Sequence, residues 1–300
     1  MERKEGSVAP LVAPLPPRRT RGFWSDALRI LLKNRLGVAG GIIVFFLALL
    51  AIFAPWLTPY TYAGLDWRLV NQPPSLAHPL GTDYLGRDVL TRLLYGARVS
   101  MTVGVVGATL AMLIGTIYGS IAGYYGGKVD NLLMRFADLM YGFPTLLLII
   151  LIMVFFRSTG TLTAGYDVPL VQAVRHLDDL MGGMLFIFVG IAVTSWMTPS
   201  RLVRGIILSL KEREFILAAQ ALGASDLRII RVHLLPNTLG PIIVAETLNI
   251  PSYILLEAFL SFIGLGVNPP TPSWGGMIND GVASMRSYPH QVLAPAGALS

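Results

Sequence analysis

Long apolar stretches separated by short polar segments run through most of the chain. Residues 37–57 are uncharged, and a helix of that length at 1.5 Å per residue crosses the roughly 30 Å hydrocarbon layer of a bilayer. Further apolar stretches predict spans at about residues 99–125, 136–156 (with a kink at Pro144), 182–198 and 238–266. A sixth span begins at about residue 291, and we expect it to continue past residue 300. The pattern predicts an all-α polytopic membrane protein.

Composition agrees with this pattern. The chain is 54% hydrophobic and 13% charged, with a mean hydropathy of +0.63, which exceeds what one soluble core of this length buries. The absence of cysteine excludes disulfides and thiolate metal sites. Residues 1–36 are basic and precede the first apolar stretch, unlike a signal peptide. We therefore expect two regions, a tail over residues 1–36 and a transmembrane domain over residues 37–300.

The distribution of positive charge predicts the orientation. Alternate polar segments hold 16 and 7 of the Lys and Arg residues, and the richer set contains the tail and the loop at residues 201–237. The positive-inside rule then places the N-terminus and this loop in the cytoplasm. The net charge of +6 is thus an orientation signal, and we expect no nucleic-acid partner.

The loop at residues 201–237 is too ordered for a simple connector. Residues 208–222 are strong helix formers without interior Gly or Pro, which predicts one helix ended by Gly223. Ser225 is placed to cap a second helix over residues 226–235, which we expect to end at Pro236. Because Ala218 and Ala219 have small side chains, the pair of short helices presents a surface that another helix can approach closely. From the residues alone, that surface meets either a partner or the protein's own spans.

This loop resembles the signature loop of ABC importer permeases. The matching residues are Ala218-Ala219, then Gly223 after three residues, and Leu235-Pro236. The departures are Leu217, where the family often has Glu, and His233, where the pattern has Ile. In the family this loop is the coupling helix that docks into an ATPase subunit. The resemblance assigns ATPase coupling to Ala218, Ala219, Gly223, Ala224, Ser225, Asp226, Leu235 and Pro236.

Three other segments narrow the resemblance to the dipeptide, oligopeptide and nickel importer permeases, and within them to the second, C-type subunit. They are residues 78–98, 255–266 and 269–275. The resemblance implies a type I ABC importer-like transmembrane domain in a multi-pass inner-membrane subunit. Its implied partners are a second homologous permease, two ATPase subunits, an extracytoplasmic substrate-binding protein and membrane lipid. It implies no cofactor in this chain, since ATP and Mg are bound by the partners. Peptide is the expected substrate, with nickel or another small solute as the alternative.

The segment before the second span reads as an amphipathic outer helix. Its apolar residues follow helical spacing, and Asp83 to Arg87 and Asp88 to Arg92 form i,i+4 pairs. We expect it to lie near the outer face. Its function is either contact with the binding protein or substrate, or only interfacial anchoring.

Two acidic residues fall inside the predicted span at residues 238–266. Glu246 and Glu257 are about three turns apart and share a direction unless Pro251 rotates the upper half. Charged groups are costly in a bilayer and commonly face a water-filled path. Glu246, Asn249 and Glu257 are therefore candidates for the translocation path. The alternative is an interfacial position or a structural hydrogen-bond network.

The sequence carries no signature of catalysis. The four His residues are isolated, and no zinc-protease, serine-hydrolase or phosphate-loop motif is present. ATP must then be hydrolysed by another chain. A secondary transporter or channel remains an alternative, as does a scaffold membrane protein. Gly115, Gly119 and Gly123 recur every four residues and either form a close helix contact or reflect general glycine richness.

Overall fold

The computed structural model describes residues 31–162 and 169–300, with side chains over 31–156 and 172–300. Over these ranges the elements are helical and no strand is present, apart from an isolated bridge between Thr82 and Asp88. The helices are α1 (Arg35–Leu57), α2 (Val89–Tyr125), α3 (Gly127–Tyr141), α4 (Thr145–Leu162), α5 (Pro169–Leu180), α6 (Leu185–Ser195), α7 (Met197–Leu210), α8 (Glu214–Ala221), α9 (Asp226–Arg228), α10 (Leu235–Phe262), α11 (Trp274–Val282) and α12 (His290–Leu299). A 3₁₀ turn spans Trp67–Leu69, and a π-helical segment spans Ile229–Leu234.

The chain divides into two compact units, Met1–Phe46 and Leu47–Ser300. The described part of the first unit is the beginning of α1, where Ile42, Ile43 and Phe45 are exposed. The predicted tail, residues 1–36, lies almost wholly outside the described residues. All helices from α2 onward belong to the second unit.

Three stretches of the described chain are long and apolar enough to cross a membrane: α1, α2 and the continuous helix Asp226–Phe262. The count rises to five if two bent helix pairs each form one span. One pair is Gly127–Tyr141 with Thr145–Phe156, bent by 81°, and the other is Gln172–Leu180 with Leu185–Ser195, bent by 101°. The predicted all-α polytopic class is confirmed.

Two predicted spans differ from single helices. The stretch at residues 136–156 is broken before Thr145, so Pro144 accompanies a sharp break and not a kink within one helix. The stretch at residues 182–198 begins with Gly182 and Gly183 at positive φ and contains only the 11-residue α6 before Trp196 separates it from α7. Eleven residues extend about 17 Å, too short to cross alone. Apolar composition did not reveal these breaks, because it carries no information on backbone direction.

A face of small residues on α2 packs against α7. A Cβ atom on Gly115 would lie 2.8 Å from the Trp196 carbonyl oxygen, and one on Gly119 would lie 2.3 Å from the Ser200 carbonyl oxygen. One on Gly123 would lie 3.0 Å from the carbonyl oxygen of Arg204. The glycine spacing therefore reflects a close backbone contact within this chain.

We expect Gly119→Ala to destabilise this contact. The added methyl would meet backbone and not a flexible side-chain end, so the helices must separate, at a cost of about 1–3 kcal/mol. Gly205→Ala in α7 is the matched control, because a Cβ there meets nothing within 4 Å and alanine favours a helix by up to about 1 kcal/mol. Thermal unfolding of the detergent-purified chain measures both variants. Equal unfolding midpoints would contradict the contact.

The largest apolar core joins four helices. It contains Val103 and Ala111 of α2, Ile149 and Met153 of α4, Phe186, Ile187 and Ile191 of α6, and Tyr253 and Leu260 of α10. A second core packs Ile216 of α8 against residues of α7, the π segment and α10. These cores hold α2 as the central helix against α6, α7 and α10.

Candidate functional site

The short helix α8 is anchored by one side chain and exposes the opposite face. Ile216 is fully buried with Val203 and Ile207 of α7 and Leu234 of the π segment. Ala219, one turn later, is also buried. Phe215, Leu217, Ala218 and Leu222 are exposed, and we call these four residues the docking face. A fixed helix that presents apolar side chains to the outside is suited to receive another protein.

The predicted single helix over residues 208–222 is wrong. Helix α7 ends at Leu210, the chain turns through Lys211 and Glu212, and Arg213 is extended before α8 begins. Helix propensity favours an unbroken helix, but tertiary packing overrides it here. The break directs Ile216 into the core behind α8.

Gly223 ends α8 as predicted. Its φ is +79°, a conformation that glycine adopts without strain. The Gly223 N–H donates to the Gln220 carbonyl at 2.9 Å, and the Ala224 N–H donates to the Ala219 carbonyl at 3.0 Å. These two bonds satisfy carbonyls at the helix end. Ser225 occupies the predicted cap position in extended conformation, but its side chain makes no capping hydrogen bond.

The prediction that the second helix ends at Pro236 is wrong. The helix continues from Asp226 through the π segment into α10, with Pro236 in the first turn of α10. The Leu235 N–H reaches back five residues to the Ile230 carbonyl, a widened turn of the π type. Pro236 lacks an N–H to donate to the helix, and the widened turn lies directly before it.

Polar contacts tie this region to neighbouring helices. The Tyr124 hydroxyl, near the end of α2, donates to the Asp226 carboxylate at 2.7 Å. Arg204 of α7 binds Asp130 of α3 through two nitrogens, at 2.5 and 2.6 Å. The hydrogen bond with Asp130 raises the pKa of the Arg204 guanidinium, which therefore stays charged. Asp226 of α9 is therefore connected to α2, and α7 is connected to α3.

The docking face includes Leu222, a residue that sequence reasoning missed. Its side chain is 88% exposed, and it lies one turn after Ala218. The i,i+4 spacing places both residues on one helix face. Leu235 and Pro236, by contrast, lie at the start of α10, and Ala224 packs against the core behind α8.

A buried cluster of charges lies near the other end of α2. The Asp83 carboxylate accepts hydrogen bonds from Arg87 at 2.7 Å and from Arg92 at 2.5 Å. Both guanidinium groups also contact Asp280 of α11, at 3.2 and 3.3 Å. We call Asp83, Arg87, Arg92 and Asp280 the ion cluster. It joins the segment before α2, α2 itself and α11.

The segment at residues 78–98 does not form the separate amphipathic outer helix that the sequence predicts, because helix begins only at Val89 and continues into α2. Asp83, Arg87 and Asp88 precede α2, and all three are buried. The Asp83–Arg87 pair forms, but in a turn, and the predicted Asp88–Arg92 pair is not among the ion pairs of the described residues. Asp88 caps α2 by accepting from the Thr91 N–H at 2.7 Å, and it also contacts His78 at 2.9 Å. A cap position turns the carboxylate towards the helix end and away from Arg92.

The two acidic residues of α10 are buried in hydrogen-bond networks. Glu246 accepts from the Tyr253 hydroxyl at 2.9 Å and from the Asn249 amide at 3.3 Å. Glu257 accepts from Ser100 of α2 at 3.0 Å and from Ser261 at 2.6 Å. The networks match the structural alternative from the sequence. A function of Glu246, Asn249 and Glu257 in translocation stays a prediction.

Substitution of Glu246 distinguishes a structural function in the hydrogen-bond network from a function in translocation. Glu246→Gln keeps an acceptor oxygen for Tyr253, so we expect the protein to assemble. If Glu246 contributes to the translocation path, loss of its charge should change the uptake rate severalfold. Uptake into proteoliposomes, normalised to assembled protein, is the measurement. Unchanged uptake would leave Glu246 as a structural residue.

Comparison with known proteins identifies the family. Residues 89–298 match the family described as the binding-protein-dependent transport system inner membrane component. The chain belongs to this family. Residues 22–74 match the N-terminal transmembrane domain of oligopeptide transport permease C.

Several curated permeases are similar over most of their length. The dipeptide transport system permease protein DppC of Bacillus subtilis is 44% identical, covering 90% of this chain and 77% of that protein. The oligopeptide transport system permease protein OppC of Escherichia coli K12 is 41% identical, covering 93% and 85%. The glutathione transport system permease protein GsiD of Pectobacterium atrosepticum is 34% identical, covering 96% and 89%. The predicted resemblance to C-type permeases is confirmed, and the chain is a multi-pass membrane permease.

Proposed function

We propose that this permease is the C-type transmembrane subunit of an ATP-driven importer of short peptides. It works with a second homologous permease, two ATPase subunits that bind ATP and Mg, and an extracytoplasmic binding protein. The chain itself catalyses no reaction. Its contribution is a helical pathway and a mechanical connection to the ATPase.

The docking face of α8 is the observation that carries the proposal. One side of α8 presents four exposed side chains, three of them large and apolar. The other side of α8 is packed into a core. Ala218 permits close approach, while Ala219 and Gly223 hold the helix and its end. The face matches the position of the loop that resembles the family's coupling helix. An ATPase cleft is therefore its proposed partner.

Orientation follows from the same assignment. An ATPase works in the cytoplasm, so α8 and the end of α2 near Tyr124 face that side. The charge distribution of the polar segments favours the same orientation and places the N-terminus in the cytoplasm. The ion cluster then lies towards the extracytoplasmic side, where the binding protein docks.

Coupling requires two states of the helix bundle. ATP binding draws the ATPase subunits together, and the docking face moves with them. The continuous helix from Asp226 to Phe262 transmits that movement across the membrane, and the bundle alternates between inward and outward access. The Tyr124–Asp226 hydrogen bond engages α2 in the same movement.

The similar permeases support a peptide substrate. Their names refer to dipeptides, oligopeptides and glutathione, which share a peptide backbone with charged ends. We infer the same chemical class for this permease. An importer for nickel or another small solute is the alternative that the experiment must separate.

Reconstitution of the assembled importer tests the proposal. The complex, placed in liposomes with its binding protein, should hydrolyse ATP faster when dipeptide is added and should accumulate the dipeptide. Nickel chloride added in place of dipeptide is the comparison. Stimulation by nickel alone would reassign the substrate, whereas uptake without any ATPase subunit would indicate a secondary transporter.

A further inference from the structure

A cavity of about 490 Å³ lies beside the beginning of α2. It is bordered by α2, the segment after α1, the turn between α5 and α6, and the segment after α10. The lining residues used below are Tyr62, Tyr95, Arg98 and Asp179. The volume falls within the roughly 300–1,000 Å³ of small-molecule sites in proteins.

The cavity is at the opposite end of α2 from the docking face. Arg98 and Tyr124 are 26 residues apart on one helix, which is about 39 Å along its axis. Tyr124 donates a hydrogen bond to Asp226, which lies four residues after Leu222 of the docking face. If α8 faces the cytoplasmic ATPase, the cavity faces the side on which substrate is delivered.

Two opposite charges border this cavity without neutralising each other. Arg98 is exposed, and neither it nor Asp179 takes part in the ion pairs found within the described residues. Asp179 accepts from the Asn268 amide at 3.4 Å, which is long for a hydrogen bond. Both charged groups are therefore available to a ligand.

An aromatic pair supplies the apolar wall. The rings of Tyr62 and Tyr95 lie 4.7 Å apart between centroids and are tilted by 44°. Tyrosine combines an apolar ring with a hydroxyl that binds polar groups. A ligand with one charged group at each end and a small apolar body matches this lining better than an anionic lipid, since Asp179 would repel the lipid phosphate.

We propose that this cavity is an entry site for zwitterionic short peptides. Arg98 binds the terminal carboxylate, Asp179 binds the terminal ammonium, and Tyr62 and Tyr95 contact the chain between them. This inference rests on the proposed function, because it gives an importer of peptides a receiving site on its delivery side. The site selects for free peptide ends and accepts varied side chains.

Binding of three related probes tests the assignment. The assembled complex in nanodiscs, without binding protein, is titrated with dialanine, dialaninamide and N-acetyldialanine. Arg98→Gln should weaken dialanine binding about tenfold, the loss expected for one charge-assisted hydrogen bond, and should leave dialaninamide unaffected. Asp179→Asn should weaken dialanine similarly and leave N-acetyldialanine unaffected. Arg286→Gln, an exposed arginine that does not line the cavity, is the control and should change none of the three.

The outcomes separate this site from the function as a whole. Equal binding of the three probes to the parent complex, or no binding of dialanine up to about 10 mM, a concentration tenfold above the 1 mM dissociation constant of a weak complex, overturns the site. If loaded binding protein still stimulates ATP hydrolysis in that case, the proposed function stands. Loss of that stimulation in the parent complex would overturn the proposed function instead.

Discussion

Replacing Asp83 with Asn should lower the thermal unfolding midpoint of this permease far more than replacing Asp138 with Asn. The Asp83 carboxylate binds two buried arginines, Arg87 and Arg92, whose side chains are 7% and 6% exposed. The asparagine amide would place its own N–H groups opposite the N–H donors of the two arginines. Both guanidinium groups would then lose their main anionic partner. Breaking a buried charge pair in this way costs about 3–5 kcal/mol.

Asp138 is the matched control because its ion pair is exposed. It meets Arg201 at 2.5 Å, with 63% of the Asp138 side chain accessible to solvent. Pairs of this kind contribute about 0–1 kcal/mol. Tryptophan fluorescence during heating, in detergent at one salt concentration, compares the two variants. Equal shifts would show that the ion cluster does not stabilise the region around α11.

Leu222→Glu should release the ATPase subunits from the complex while the permease stays folded. The side chain is 88% exposed and makes little contact within the chain, so folding should change by no more than about 0.5 kcal/mol. At an interface the new carboxylate would be buried without a partner, at a cost of at least about 2 kcal/mol, or roughly 30-fold in affinity. Retention of ATPase subunits by the purified, tagged permease is the readout.

Leu76→Glu controls for the introduced charge. Leu76 is also fully exposed but lies in the segment between α1 and α2, before the ion cluster. It should retain the ATPase subunits at the parent level. Full retention by both variants would remove the docking face of α8 from the coupling contact.

The features predicted well from sequence are those that depend on local chemistry. An uncharged run of bilayer length requires a helix wherever it lies, and α1 follows from that alone. Gly223 ends α8 because an αL residue is needed there and glycine adopts it freely. Burial of Glu246 and Glu257 in hydrogen-bond networks agrees with the alternative to a position on the translocation path, and exposing carboxylates to lipid would be costly.

The features predicted poorly depend on distant partners. Arg92 binds Asp83 and Asp280 and not Asp88, because Asp88 is committed to the end of α2. No local spacing rule identifies a partner 188 residues away. The turn at Gly182 and Gly183 is set by close packing against Asn268, and the break before α8 by the core that holds Ile216. Each depends on tertiary contacts that a single sequence does not show.

The absence of a loop between α9 and α10 has a mechanical consequence. From Asp226 to Phe262 the backbone forms one continuous helix of 37 residues, about 55 Å long. A tilt of about 10° at its Asp226 end would move its Phe262 end by about 10 Å, since a helix of this length acts as a lever. A small movement beside α8 would therefore become a larger displacement at the opposite end of α10.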